Sequence, residues 1–136
     1  IMADAIVNSK VSLAKKKDIK LDVTAKIPKE IPMTDVEFCV VFGNIMDNAI
    51  EACEKLASKE NKFIRVYIGV FKKQFYMFVS NSTDQKKRTK KYLSMKGEGH
   101  GFGLQRIDKI IHDKNGYLNR QNEPGVFATE IMLPYI

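Results

Sequence analysis

The sequence predicts an α/β (α+β) two-layer sandwich: a mixed, mostly antiparallel sheet of about five strands with three helices on one face. Three observations predict it. Apolar residues recur at three or four positions along three segments and at alternate positions along several others, the periods of amphipathic helices and half-buried strands. The segments follow one another as helix, strand, helix, two strands, helix, two strands, and strands sharing one apolar face need helices to cover it. The chain has 136 residues, 44% hydrophobic and 29% charged, which suits one domain around one core.

Residues 2–17 place Ile6, Val7, Val11 and Leu13 among alanines and end in Lys15, Lys16 and Lys17, where cations suit a helix C-terminus. Ile19, Leu21, Val23, Ala25 and Ile27 then alternate with polar residues, predicting a half-buried strand before Pro28 and Pro32. Thr34 followed by Glu37 is a capping box, with Met33 and Phe38 as a hydrophobic staple. Cys39, Phe42, Met46, Ala49, Cys53 and Leu56 continue at helical spacing, so one long helix is expected over 34–57. Ile64, Val66, Ile68 and Val70, the Lys72-Lys73 turn and the apolar run 75–79 read as a hairpin, with Asn81 as a turn residue at its end. Residues 82–98 are polar and lysine-rich, which suits a surface loop. Leu104, Ile107, Ile110 and Ile111 mark a short helix closed by Asn115-Gly116. Strands at 117–121 and 126–133 turn through 122–125.

Cys39 and Cys53, fourteen residues apart on one helix, stand roughly 21 Å from each other, too far for a disulfide. Two buried free thiols without a secretory signal suit a reducing cytoplasmic setting. No apolar run approaches the roughly 20 residues of a membrane span. The net charge of +7 points to an anionic partner without choosing among nucleotide, nucleic acid and membrane surface. The chain opens directly into helical pattern, as a fragment of a longer protein would.

The chemistry-bearing residues are few. Asn44 and Asn48, four apart, project from one stripe of the long helix; they can cap neighbouring loops, face solvent, or give amide oxygens to a hard cation travelling with phosphates. Gly97, Gly99, Gly101 and Gly103 lead into a helix N-terminus, where backbone N–H groups favour an anion and glycine allows close approach; a flexible hinge is the alternative. Lys96 reads as a phosphate contact or part of the solvated run with Lys86, Lys87, Arg88, Lys90 and Lys91. His100, flanked by glycines, reads as a ligand or as a structural or solvent-facing residue of the loop, and His112 near a helix C-terminus as a surface residue that offsets the dipole.

Together, Asn44-Ile-Met-Asp-Asn48-Ala-Ile-Glu-Ala52 and His100-Gly-Phe-Gly-Leu104 resemble the N-box and second glycine box of the Bergerat-fold (GHKL) ATPases. The strand ending at Asn81, the lid at about 82–100 and the closing Ile131-Met-Leu-Pro134 strand fit the same pattern. Within that superfamily the chain resembles the catalytic domains of sensor histidine kinases, especially the peptide-pheromone receptors of Gram-positive bacteria, which share the Asp-Asn-Ala-Ile-Glu-Ala form and a lid like Ser94-Met-Lys-Gly97.

The resemblance implies ATP and Mg²⁺ as cofactors. It places the metal contact on Asn48, the phosphate cradle on the backbone of Gly101, Phe102, Gly103 and Leu104, with Gly99 and Lys96 in the lid and Asn44 beside the metal. The aspartate glycine box that reads adenine is replaced by Asn81-Ser-Thr, leaving Asn81 as the adenine contact. Hydrolysing relatives carry a glutamate base where Asn44 stands, and an amide takes no proton from water, so transfer to a positioned acceptor is favoured. That acceptor is a histidine on a dimerisation segment outside this chain, so the domain is not expected to autophosphorylate alone and is expected to be monomeric. The division implied is a linking helix at 1–18 and a catalytic domain at 19–136. A response regulator is the implied onward partner, and the parent protein a membrane-anchored sensor with this domain in the cytoplasm. Rival readings are an anti-sigma-type serine kinase, a hydrolysing ATPase, or a basic module binding nucleic acid through 86–91. Nucleic acid is not the expected partner, because no basic-aromatic recognition module is visible.

Overall fold

The structure is a computed structural model that describes residues 2–57, 61–84 and 98–135, with 98–103 as backbone only. Helices α1 (Met2–Lys16), α2 (Asp35–Glu54) and α3 (Glu98–Asp113) accompany strands β1 (Lys20–Ala25), β2 (Phe63–Phe71), β3 (Gln74–Ser82), β4 (Tyr117–Glu123) and β5 (Val126–Pro134). The sheet order is β1-β2-β3-β5-β4. β1 runs parallel to β2 and every other pairing is antiparallel. Fold class and element order are those the periodicities predict.

α2 is the spine. Thr34 Oγ1 accepts from the Glu37 N–H at 3.1 Å and Glu37 Oε1 accepts from the Thr34 N–H at 2.8 Å, a complete capping box that contributes about 1 kcal/mol. Its buried residues run Phe38, Val41, Phe42, Ile45, Met46, Ala49, Ile50 and Cys53. This stripe is broader than expected and leaves Cys39 exposed, so only one of the two thiols is buried. The helix ends at Glu54 with Lys55 as C-cap, short of the expected 57.

α1 lies parallel to α2. Lys10 Nζ meets Asp47 Oδ1 at 2.7 Å and Lys17 Nζ meets Glu54 Oε2 at 2.7 Å, both pairs stepping seven residues along each helix. Ala3, Val7 and Ala14 join the common core. α1 ends in a Schellman motif: Ile19 N–H donates to Ala14 O, Asp18 N–H to Lys15 O, and Asp18 takes the left-handed position at φ 59°. α3 closes the same way, Gly116 N–H donating to Ile111 O and Asn115 N–H to His112 O, with Asn115 at φ 56°. Gly116 is needed for space: a Cβ there would lie 2.4 Å from Leu133 Cδ2 and 2.9 Å from Met132 O.

Several expectations are corrected. β1 is an edge strand, exposed except for half-buried Leu21, because it is paired on one side only. Asn81 is not a turn residue; β3 continues through Ser82 and buries it. The 122–125 turn tightens to Pro124-Gly125, with Glu123 paired to Val126 and Gly125 at φ 80°, as a Pro-Gly type II turn requires. α3 starts at Glu98, so Gly99, Gly101 and Gly103 lie within its first turns and do not precede it. The loop expected at 82–98 lies largely outside the described residues, as do Ser94, Lys96 and Gly97. The Lys72-Lys73 turn is as expected, with both residues at positive φ (53° and 62°) between paired Phe71 and Gln74.

The helix-facing side of the sheet carries Ile64, Val66, Ile68, Phe75, Met77, Val79, Ile131 and Leu133, all buried. α2 covers β2 and β3, and Ile107 and Ile111 of α3 complete the core.

Candidate functional site

Two anchors orient α2 against the sheet. At its start, Lys114 Nζ just after α3 pairs with Glu37 Oε1 at 3.0 Å. At its end, the Cys53 thiol lies 3.6 Å from Ser82 Oγ and 3.5 Å from Phe63 O. α2 therefore runs from the Phe75–Leu133 end of the sheet toward the Ser82–Val126 end. α3 finishes at the first end, where Gly116 packs on Leu133, and so runs opposite to α2. Glu37 to Asn48 and Lys114 to Gly103 are both steps of eleven residues, roughly 16 Å of helix axis. The glycine-rich start of α3 and the Asn48 turn of α2 thus stand at the same level of two adjacent antiparallel helices.

The two amides differ. Asn44 is half-buried and its Nδ2 donates to Val40 O at 2.8 Å, which leaves its Oδ1 available. Asn48 is half-buried and its side chain makes no hydrogen bond among the described residues. Asp47 between them is held by Lys10 at 2.7 Å.

At the same sheet end, Asn81, Ser82, Thr83 and Asn122 are buried. Asn81 pairs with Ile64 and shares the helix-facing parity of Val79 and Met77. Its Nδ2 donates to Ser82 O at 3.0 Å, leaving the amide oxygen as an acceptor. Ser82 Oγ accepts from the Phe63 N–H at 2.9 Å, and Thr83 N–H donates to Gly125 O at 3.0 Å. Burial raises the Cys53 thiol pKa, only partly opposed by its hydrogen bond with Ser82, so the thiol stays protonated. At the opposite end the Thr34 N–H holds Glu37 below the usual carboxylate range, aided by Lys114.

Leu104 is half-buried on α3. Gly99, Gly101, Phe102 and Gly103 are placed as helical backbone, and Lys96 lies outside the described residues. Among the described residues no three His, Cys, Asp or Glu side chains form a metal cage, and no helix is long and apolar enough to cross a membrane. His112 is exposed near the end of α3. Thr83 and Asn122 escaped the sequence reading, since the period that marks a core strand gives no sign that polar residues at its end are buried.

The fold and site define a two-layer domain in which a long amide-bearing helix faces a glycine-rich helix start beside a buried polar strand end. The model of the GHKL domain family matches residues 33–134, and the chain belongs to that family. No curated protein matches the sequence closely enough to count as a relative. Among solved structures, it is similar to the mycobacterial sensor histidine kinase MprB (TM-score 0.70, 15% identity, 96% of this chain and 94% of that one). It is similar also to the catalytic domain of histidine kinase ThkA (TM-score 0.73, 19% identity, 98% and 89%) and to Acinetobacter baumannii histidine kinase AdeS (TM-score 0.69, 16% identity, 96% and 64%). At these identities the likeness is one of fold.

Proposed function

We propose that this domain is the ATP-binding catalytic domain of a sensor histidine kinase, passing the ATP γ-phosphoryl to a histidine on a dimerisation segment outside this chain. The observation that carries the proposal is the meeting of Asn48, without a partner among the described residues, and the glycine-rich start of α3. Two amide oxygens with no carboxylate cage among the described residues suit Mg²⁺ that arrives with phosphates and keeps part of its water shell. Bound there, Mg²⁺ would neutralise charge on the phosphate chain. Asn48 Oδ1 is its protein ligand and Asn44 Oδ1 supports it. Because α3 runs from Glu98, the N–H groups that the helix leaves free lie at its first turn, and those at Gly101, Phe102, Gly103 and Leu104 donate to phosphate oxygens as that turn opens around the nucleotide. Lys96 of the lid contacts the terminal phosphate, and Gly99, at the start of α3, completes the ATP-binding segment. Asn81 accepts from the adenine amino group through its amide oxygen, and the polar strand end around it closes the base pocket.

Asn44 bears on reaction type. Its Nδ2 is engaged with Val40 O and an amide is no base, so water in this site goes unactivated and transfer to a presented imidazole is the favoured outcome. The finer assignment, to the peptide-pheromone receptor subgroup, is supported by the Asp47-Asn48-Ala-Ile-Glu-Ala52 form and the Ser94-Met-Lys-Gly97 lid. On this reading residues 1–18 connect to the histidine-bearing segment and 19–136 form the catalytic unit. A cognate response regulator receives the phosphoryl, and the domain works in the cytoplasm beneath a membrane-anchored sensor.

The test adds the upstream histidine-bearing segment and follows γ-labelled ATP. Acid-labile, base-stable label on that segment, lost in Asn48→Ala, is the expected result; label on serine, or release of free phosphate alone, would overturn the assignment.

A further inference from the structure

The sheet has a second face, opposite the helices, and pairing places its residues in three rows across four strands. Tyr117, Met132, Tyr76 and Gly69 form one row; Asn119, Glu130, Phe78 and Tyr67 the next; Gln121, Ala128, Ser80 and Arg65 the third. Alanine between longer neighbours opens a cleft of about 200 Å³ lined by Phe78, Asn119, Gln121, Ala128 and Glu130. It faces away from the amides of α2 and plays no part in the proposed phosphoryl transfer.

Its chemistry is specific. Glu130 Oε2 accepts from the Tyr76 hydroxyl at 2.5 Å, and burial together with that carboxylate raises the Tyr76 pKa well above the ordinary phenol range. In a chain of 23 lysines and arginines, Glu130 forms no ion pair among the described residues. Arg65 on the same face stacks over Phe63 at 5.5 Å, and Arg120 is engaged by Asp108 at 2.8 Å. The cleft is thus lined by a carboxylate, two side-chain amides that each carry an acceptor oxygen, and a phenylalanine ring.

We propose that this cleft receives a guanidinium group, the side chain of one arginine presented by a partner protein. A guanidinium carries five donors and no acceptor, matching the carboxylate and amide oxygens, and its cationic plane is attracted to a ring face. An ammonium is a compact, strongly hydrated charge and matches a flat, mixed site less well. A polypeptide source fits the surroundings. Tyr117 is 48% exposed and Phe71 47% exposed on the same face, giving aromatic surface beside one end of the cleft of the kind enriched with arginine at protein interfaces.

The experiment titrates the ¹⁵N-labelled chain with a capped Gly-Arg-Gly peptide, its lysine and citrulline analogues, and free agmatine, following the side-chain amide signals of Asn119 and Gln121. The arginine peptide should give saturable shifts, roughly tenfold weaker with the lysine peptide and absent with neutral citrulline. Glu130→Gln, which keeps an oxygen for the Tyr76 hydroxyl, should lower affinity roughly tenfold or more, and Phe78→Leu should weaken it while keeping the face apolar. No saturable shift, or equal affinity in Glu130→Gln, overturns the proposal. Binding of agmatine without binding of the arginine peptide overturns the protein source.

Discussion

Gly116→Ala tests how the end of α3 is fixed against the sheet, and the site depends on that junction through the direction of α3. The new methyl would sit 2.4 Å from Leu133 Cδ2, 2.9 Å from Ile111 Cγ2 and 2.9 Å from Met132 O. Leu133 is 0% exposed and Ile111 2% exposed, so neither side chain has space to retreat into. Met132 belongs to β5 and pairs with both Tyr76 and Tyr117, so its carbonyl cannot move without shifting three strands. Overpacking of this kind costs about 1–3 kcal/mol. The loss of a glycine from the unfolded chain returns about 0.4–1 kcal/mol, leaving a net destabilisation of roughly 1–2 kcal/mol. Guanidinium denaturation followed by far-ultraviolet circular dichroism reads this as a lower midpoint with an unchanged slope. In a Leu133→Ala background the clash with Cδ2 disappears, so the added cost of Gly116→Ala should shrink measurably. A cost below about 0.5 kcal/mol, or an identical cost in both backgrounds, refutes the packing argument.

Other expectations follow from the same geometry. Thr34→Ala removes the cap of α2 and should cost about 1 kcal/mol, read by denaturation. Because Glu37 has a depressed folded pKa, its contribution is fully present above the unfolded value of about 4.3 and is lost as pH falls through the folded value. The stability gap between wild type and Glu37→Gln, measured across pH, should therefore be largest near neutrality and close in acid; a gap that widens in acid would contradict the assignment. Phe42→Ala empties a fully buried position and should cost about 3–5 kcal/mol, with loss of cooperative unfolding as the extreme result. The Lys10–Asp47 pair has side chains 25% and 55% exposed, so a double-mutant cycle should give a coupling under about 1 kcal/mol; a larger value would mean that α1 controls α2 more tightly than two surface ion pairs allow.

Much of this organisation is legible in the chain because α2 announces itself. Thr34 and Glu37 mark its start, and the alternation at 64–70 defines the helix-facing side of β2. Local signals fail where tertiary context decides. Cys39 has helical spacing with Phe42 and Met46 but falls outside a stripe centred on Phe38, Val41 and Ile45, so it is exposed. β1 alternates like a core strand, yet an edge strand has too little neighbouring surface to bury Val23, which is 36% exposed. The glycines at 99, 101 and 103 read as a loop by intrinsic propensity, whereas the backbone is helical from Glu98. Asn81 carries the composition of a turn, and only strand pairing with Ile64 and Phe127 shows that it is buried. The aromatic rows of the outer face went unread for a related reason: period-two arguments assign one face to the core and treat the other as solvent.

The central claim is that the Asn48 turn and the start of α3 form a site for Mg·ATP, and calorimetric titration of ATP with and without Mg²⁺ tests it most directly. Magnesium-dependent binding to wild type, weakened roughly tenfold or more in an Asn48→Ala variant that keeps the wild-type circular dichroism spectrum, is the predicted result. Equal affinity in wild type and variant, or no binding to either, would contradict it.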